Sequence, residues 1–215
     1  MSVRVSRPAD RLIGGFDQAL RTLLPAADVR PRRAYPAEHL ARVPLAEAAR
    51  HAAAAHMRVN HTGEVCAQAL YLGQSVAART PARRAALAVA AAEEEDHLHW
   101  CARRLRELED RPSQLNLVWF TGAYVLGALA GLAGEPISMG FLEETERQVV
   151  EHLEGHLASL PMEDEASLAI VRAMRADEAR HAETARAHGA VSLPAVVRAA
   201  MRLQARVMTT LAARF

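Results

Sequence analysis

The chain contains no lysine, and all 26 of its basic residues are arginine. That absence excludes Schiff-base lysine chemistry and a phosphate-binding loop with its lysine. Aromatic residues make up only 4% and β-branched residues are few, while Ala, Leu, Arg and Glu dominate. Such a composition predicts an all-α protein. The two cysteines, Cys66 and Cys101, form neither a C-x-x-C pair nor an even framework, and read as reduced thiols of a cytosolic protein. A net charge of +1, with no basic stripe interleaved with aromatics, argues against a nucleic-acid partner. No G-x-G-x-x-G follows a strand, so the chain carries no nucleotide domain of its own. The N-terminus lacks a long apolar run, and Asp10 and Asp17 interrupt any arginine-rich targeting helix, so no signal peptide is expected.

With 215 residues, 51% of them apolar, the chain can bury a sizeable core. Its most informative stretches are Glu94-Glu95-Asp96-His97 and Asp177-Glu178-Ala179-Arg180-His181. Each sets a glutamate and a histidine three residues apart, which on a helix puts both side chains on one face about a turn apart. One such clip is a weak signal, because this composition supplies about one Glu-x-x-His by chance. Two clips, each preceded by a further carboxylate on its own helix, Glu64 and Glu146, are a stronger one. The chain then reads as two similar helix pairs, each with one Glu and one Glu-x-x-His, the ligand set of a ferritin-like di-iron or di-manganese bundle. Four carboxylates balance two divalent cations, whereas six bare polar groups facing a core would be costly. Glu143 and Glu144 stand in the same helix as Glu146, and a shift of register would exchange them. Glu93 and Asp177 lie four residues before their histidines and could accept a free ring N–H of His97 or His181, on their own helix or the facing one. His152, six residues after Glu146, is a further candidate neighbour of the site.

The remaining elements follow in order. Pro8 to Leu24 is a short amphipathic helix with Leu12, Phe16, Leu20 and Leu23 at helical spacing. The Arg30-Pro31-Arg32-Arg33 run and Pro36 make a linker, solvated or touching anionic lipid; residues 1–40 thus form an N-terminal helix and linker ahead of 41–215. A first core helix runs from about Leu45 to Arg79, and Gly63 beside Glu64 leaves room close to its backbone. A second starts at Thr80-Pro81, a cap followed by proline in the first turn, and ends near Pro112; His99 and Glu95 on it read as surface residues. From Pro112 to Gly134 there is no charged residue, a 23-residue run long enough to span a membrane. A span would put Glu64, Glu94 and His97 on the opposite side of the bilayer from Glu146, Glu178 and His181, about 30 Å away. The run is therefore expected either to lie partly in the bundle and partly in the membrane interface, with Trp119 and Tyr124 at headgroup level, or to be an ordinary buried core helix. Helices over about 137–160 and 165–188 follow, the latter stopped by Gly189. A last helix after Pro194 sets Arg198, Arg202 and Arg206 in one row against Val197, Met201, Val207 and Met208, the pattern of a solvated face or a membrane-surface element.

Arg58-Val59-Asn60-His61-Thr62-Gly63-Glu64, the Glu94-x-Asp96-His97-Leu98 run, the long apolar helix after it, Thr145-Glu146 with His152 downstream, and Glu178-x-x-His181 resemble the demethoxyubiquinone hydroxylases, di-iron monooxygenases of ubiquinone biosynthesis. The resemblance covers about Leu45 to Ala190. It implies a ferritin-like four-helix bundle with additional membrane-associated helices, residues 41–215 forming the hydroxylase domain. It also implies two iron ions held by Glu64, Glu94, His97, Glu146, Glu178 and His181, with Glu94 and Glu178 as bridges. The implied reaction uses O₂ to hydroxylate the ring of a polyprenyl demethoxyubiquinol, with electrons from NAD(P)H or a partner reductase. The implied place is the cytoplasmic surface of a bacterial inner membrane, as a homo-oligomer or with a ubiquinone-biosynthesis partner protein. Some members of the family carry tyrosine where Leu153 stands, so tyrosine-assisted transfer at that position has no hydroxyl here. Two other classes share parts of the pattern. An iron store or peroxide scavenger would use the same six ligands without needing the uncharged helix, and liposome partition separates it. A metal-free helical scaffold is separated by a metal assay.

Overall fold

The computed structural model describes residues 8–24, 31–41, 43–78 and 80–215, and the backbone alone at 8–13 and 82. Among these residues the chain forms seven helices and no strand: α1 Pro8–Leu23, α2 Glu47–Ala77, α3 Pro81–Glu107, α4 Asn116–Leu132, α5 Glu135–Ser159, α6 Glu165–Ala187 and α7 Ala195–Ala212. The helices α2 and α3 pair, α5 and α6 pair, and the two pairs close against each other into the expected ferritin-like bundle. Starts and stops follow local chemistry. Thr80 caps α3 by accepting from the Arg83 N–H at 3.2 Å, with Pro81 behind it. Asp164 caps α6 by accepting from Ser167 N–H at 3.0 Å and also holds Arg104 at 2.7 Å. Gly189 ends α6 with φ +86°, a conformation that glycine adopts without a Cβ clash. Pro136 sits in the first turn of α5, where its missing N–H costs no hydrogen bond, so it opens this helix two residues earlier than the proline suggests.

The uncharged run becomes α4, only 17 residues long, and no helix of the described residues is long and apolar enough to cross a membrane. It lies along α2 at backbone contact. A Cβ on Gly73 would collide with the Tyr124 carbonyl, and one on Gly127 with the Leu70 carbonyl, so the two glycines set the interhelical distance. Phe120, Ala123 and Ala130 are buried in that seam, while Leu117, Val118, Val125, Leu129 and Leu132 on the other face are exposed. Trp119 packs with Val59, Met208 and Ala212.

The N-terminal elements depart from the simple amphipathic pattern. Leu23 and Ala19 of α1 pack on the cluster of Val65, Ala69 and Leu70, but Phe16 is 67% exposed; Leu12 and Arg30 lie outside the described side chains. The arginine-rich linker is not a solvated loop. It runs as a strap along α3: the Arg32 N–H donates to Asp96 at 2.7 Å, Tyr35 to Glu107 at 2.9 Å, and Arg103 pairs with Glu38 at 2.6 Å while stacking on the Tyr35 ring.

Candidate metal centre

Glu64 lies on α2, Glu94 and His97 on α3, Glu146 on α5, and Glu178 and His181 on α6, so four helices each project their polar residues to one point. All six are buried, His181 the least so at 9%. Their ligand atoms form two groups, each within 4.8 Å of one another: Glu64, Glu94, His97 and Glu178, and Glu94, Glu146, Glu178 and His181. Glu94 and Glu178 belong to both. The structure therefore brings together all six residues that the sequence singles out. The register is settled at Glu146 by its neighbours' partners: Glu143 faces outward to Arg186 at 2.7 Å, and Glu144 pairs with Arg147 at 2.8 Å.

The two imidazoles are held alike. His97 turns Nδ1 toward Glu94 at 3.0 Å and Glu178 at 3.2 Å, and His181 turns Nδ1 toward Glu94 at 2.9 Å and Glu178 at 3.3 Å. Each Nε2 meets a carboxylate of the facing helix: His97 meets Asp177 at 2.9 Å and His181 meets Glu93 at 2.6 Å. The acids upstream of the clips thus serve each other's histidine, and each fixes a ring so that Nδ1 points inward. Among the described residues His152 forms no hydrogen bond or ion pair with the six; it stacks edge-on to His156 at 4.0 Å, which in turn meets His56 at 4.4 Å. His99 and Glu95 are half-buried and turned away from the six, with His99 Nδ1 on the Glu95 carbonyl at 2.6 Å.

Electrostatics within the cluster are strong. Burial pushes the Glu64 and Glu146 carboxyls well above the usual carboxylate range. Burial acts the same way on Glu94, but hydrogen bonds from His181 and His97 outweigh it and hold that group low. Burial opposes charge on both histidines, yet Asp177, Glu178, Glu64 and Glu94 raise His97 well above the imidazole value, and Glu178 and Glu94 bring His181 up to about 12. Four carboxylates and two ring nitrogens in a buried pocket are a hard, anionic donor set that fits two divalent first-row cations and neutralises them.

Three participants carry no motif of their own. Tyr71 donates to Glu146 at 2.7 Å, and its only sequence signal is its place two turns beyond Glu64. Asp96, inside the first clip, does not join the cluster and instead anchors the strap through Arg32 and Arg33. Arg33 reaches Asp177 at 2.7 Å across the ring of Trp100, a contact that follows from the path of the strap and not from local pattern.

Beside the cluster lies a cavity of about 610 Å³, lined by α2, α4, α5 and α7, with Glu64, Glu146 and Glu178 at one side. Ala67, Leu70, Phe141, Val149, Met201 and Met208 give it an apolar wall, and Gly63, with no atom within 4 Å of a would-be Cβ, leaves its floor open.

A four-helix bundle with two overlapping Glu/His groups at its centre and an apolar cavity beside them defines a ferritin-like carboxylate-bundle protein of the substrate-binding kind. The chain belongs to the family described as ubiquinone biosynthesis protein COQ7, whose model matches residues 51–212. It is 53% identical over 216 residues to the 3-demethoxyubiquinol 3-hydroxylase of Ralstonia pickettii (strain 12J), covering 95% of this chain and 99% of that one. It is 54% identical over 210 residues to the enzyme of the same name from Bordetella pertussis, covering 97% and 94%, and 54% identical over 208 residues to that of Cupriavidus metallidurans, covering 95% and 99%.

Proposed function

We propose that this chain is a 3-demethoxyubiquinol 3-hydroxylase, an O₂-dependent di-iron monooxygenase that hydroxylates the ring of a demethoxyubiquinol in ubiquinone biosynthesis. The observation that carries the reading is the apolar cavity opening directly onto the buried Glu/His cluster, because an iron store needs the cluster and has no use for the cavity. Glu64, Glu94, His97, Glu146, Glu178 and His181 would hold two iron ions, Glu94 and Glu178 being common to both groups of ligand atoms. When bound there, two iron ions would supply the chemistry for activating O₂. One oxygen atom enters a ring C–H bond and the other leaves as water, which consumes two protons and two electrons from a donor such as NAD(P)H or a reductase.

The protein's part is positional. Asp177 and Glu93 fix the two imidazoles, Tyr71 holds Glu146, and the apolar wall excludes water and receives the ring. Substrate reaches the cavity from the membrane surface. The exposed apolar face of α4, together with the basic helix α7, rests on the cytoplasmic leaflet of the bacterial inner membrane. Within residues 1–40 the described parts act as the helix α1 and the strap, and 41–215 as the hydroxylase domain; the exposed face also suits a second copy or a ubiquinone-biosynthesis partner.

The test is twofold. Purified protein loaded anaerobically with Fe(II) binds about two irons per chain and Glu178→Ala one or none, by analogy with such bundles. Cells lacking the protein accumulate demethoxyubiquinone, and wild type restores ubiquinone while folded Glu94→Ala and His181→Ala do not. Normal ubiquinone in the deletion strain, with no redundant hydroxylase, overturns the reading.

A further inference from the structure

Asn60 stands on α2 one turn before Glu64, on the stripe that also carries Gly63 and Ala67 to the cavity. It is 3% exposed, and among the described residues neither its Oδ1 nor its Nδ2 has a hydrogen-bond partner. A buried carboxamide with every bond unmade is uncommon, because a polar group taken out of water without a partner is costly. The neighbouring buried amide shows the ordinary solution: Asn116 accepts from Thr62 at 3.0 Å and lies 3.4 Å from His61 Nδ1. Asn60 has no such arrangement and instead borders the cavity, whose lining is apolar at Val59, Ala67 and Leu70 of the same helix and polar at Glu64, Glu146 and Glu178 beside the cluster. A carboxamide offers one acceptor and two donors at a single point. It therefore matches a ring that carries a hydroxyl and an ether oxygen on adjacent carbons, and it would hold such a ring against Glu64 and the metal cluster.

We propose, on the hydroxylase reading above, that Asn60 is the ring-orienting residue, its Oδ1 accepting from a quinol hydroxyl and its Nδ2 donating to the neighbouring methoxy oxygen. The ring enters along the apolar wall, and these two bonds select which ring carbon faces the cluster.

The experiment uses the iron-loaded full chain with a short-tailed demethoxyubiquinone analogue, and a short-tailed benzene of similar shape without ring oxygens as control. Asn60→Leu is expected to weaken binding of the analogue about tenfold or more, the loss of one or two hydrogen bonds, and to raise KM. Binding of the oxygen-free control stays within twofold. Iron content is unchanged, and the melting temperature is equal or higher because an unpaired amide has been removed. If Asn60→Leu loses iron or stability, Asn60→Ala carries the same comparison. Equal affinity of wild type and variants for the analogue overturns the proposal, as does an equal loss for the control. Wild type that neither binds nor hydroxylates the analogue overturns the hydroxylase reading with it, whereas wild type that hydroxylates beside normally binding Asn60 variants overturns this proposal alone.

Discussion

Arg33 Nη2 lies 2.7 Å from Asp177 Oδ2, the same oxygen that meets His97 Nε2 at 2.9 Å. Three segments far apart in sequence, the strap, α3 and α6, are thereby tied at one atom beside the metal cluster. Burial works to raise the Asp177 pKa, but hydrogen bonds from His97, Arg33 and Arg180 outweigh it, so Asp177 stays anionic and available to the imidazole. Asp177→Asn is expected to lower iron affinity roughly 10- to 100-fold, the usual cost of losing a partner behind a ligating histidine. Arg33→Ala, acting at one remove, should lower it less, and Arg33→Lys should recover only part, because an ammonium cannot fork between Asp96 and Asp177. Competition with a graded series of chelators measures all three. Unchanged affinity in Asp177→Asn would show that the contact is incidental.

Loading the cluster with metal should expel protons. Glu64 and Glu146 are pushed up by burial, and His97 and His181 are raised by the carboxylates around them despite burial, so the four hold protons that a pair of cations must displace. Up to about four protons per two divalent cations are expected at neutral pH. An indicator dye in weakly buffered solution records the yield, and release of fewer than one proton per metal ion contradicts the charge arrangement described.

Two buried histidines make stability fall in mild acid. Burial, then the charge of His99, lowers His61 to about 4, and burial, then His152 and His56, lowers His156 to about 2. Both folded values lie below the unfolded value of 6.5, so the unfolded chain binds more protons in between. Their contribution is complete above about pH 6.5 and is lost as pH falls toward the folded values, at about 1.4 kcal/mol per pH unit for each histidine. Urea unfolding at pH 7.5, 6.5 and 5.5 should show a shallower decline for His156→Leu than for wild type. Parallel declines would mean that His156 is charged in the folded state.

The glycine seam between α2 and α4 predicts a sharp mutational effect. Gly127→Ala puts a methyl group against the Leu70 backbone, where no side chain can move aside. A loss of about 2 kcal/mol or more is expected from overpacking, while Gly122→Ala, with nothing within 4 Å, should be neutral or slightly stabilising in its helix. Equal melting temperatures for the two variants would contradict the backbone contact.

Membrane attachment is tested by flotation with vesicles containing anionic lipid. Leu129 and Leu132 are 58% and 67% exposed on α4. The double change of both to Glu should abolish flotation while leaving the helical signal and iron content intact, since it places charge at the apolar boundary. Flotation equal to wild type would assign the exposed face to a protein partner.

Much of the bundle is legible in the chain itself, because capping residues, helix periods and the i, i+3 clips are local. Thr80-Pro81, Gly189 and the two Glu-x-x-His pairs announce their own geometry without reference to anything distant. Glu146 could be separated from Glu143 and Glu144 only once their arginine partners on α6 and α5 were in place. Asp177 and Glu93 stood out by spacing, but which histidine each serves depended on how α3 faces α6. Arg33 carries no spacing signal, and Tyr71 and Asn60 carry only a place at helical spacing from Glu64 on α2, since a residue's usefulness to a site built from four helices depends on what lies opposite it.

Composition and the periodicities that every helix obeys were enough for the helical class, for Glu64, Glu94, His97, Glu178 and His181, and for the 23-residue uncharged run, with Glu146 left open against Glu143 and Glu144. The tertiary structure decided that this run becomes a short helix pressed on α2 at glycine distance, that the arginine-rich linker becomes a strap behind His97, and that a cavity opens beside Glu64 with an unpaired amide on its wall. The physical reason is that close packing and hydrogen-bond pairing are properties of facing surfaces, and the faces are brought together only by the closed bundle.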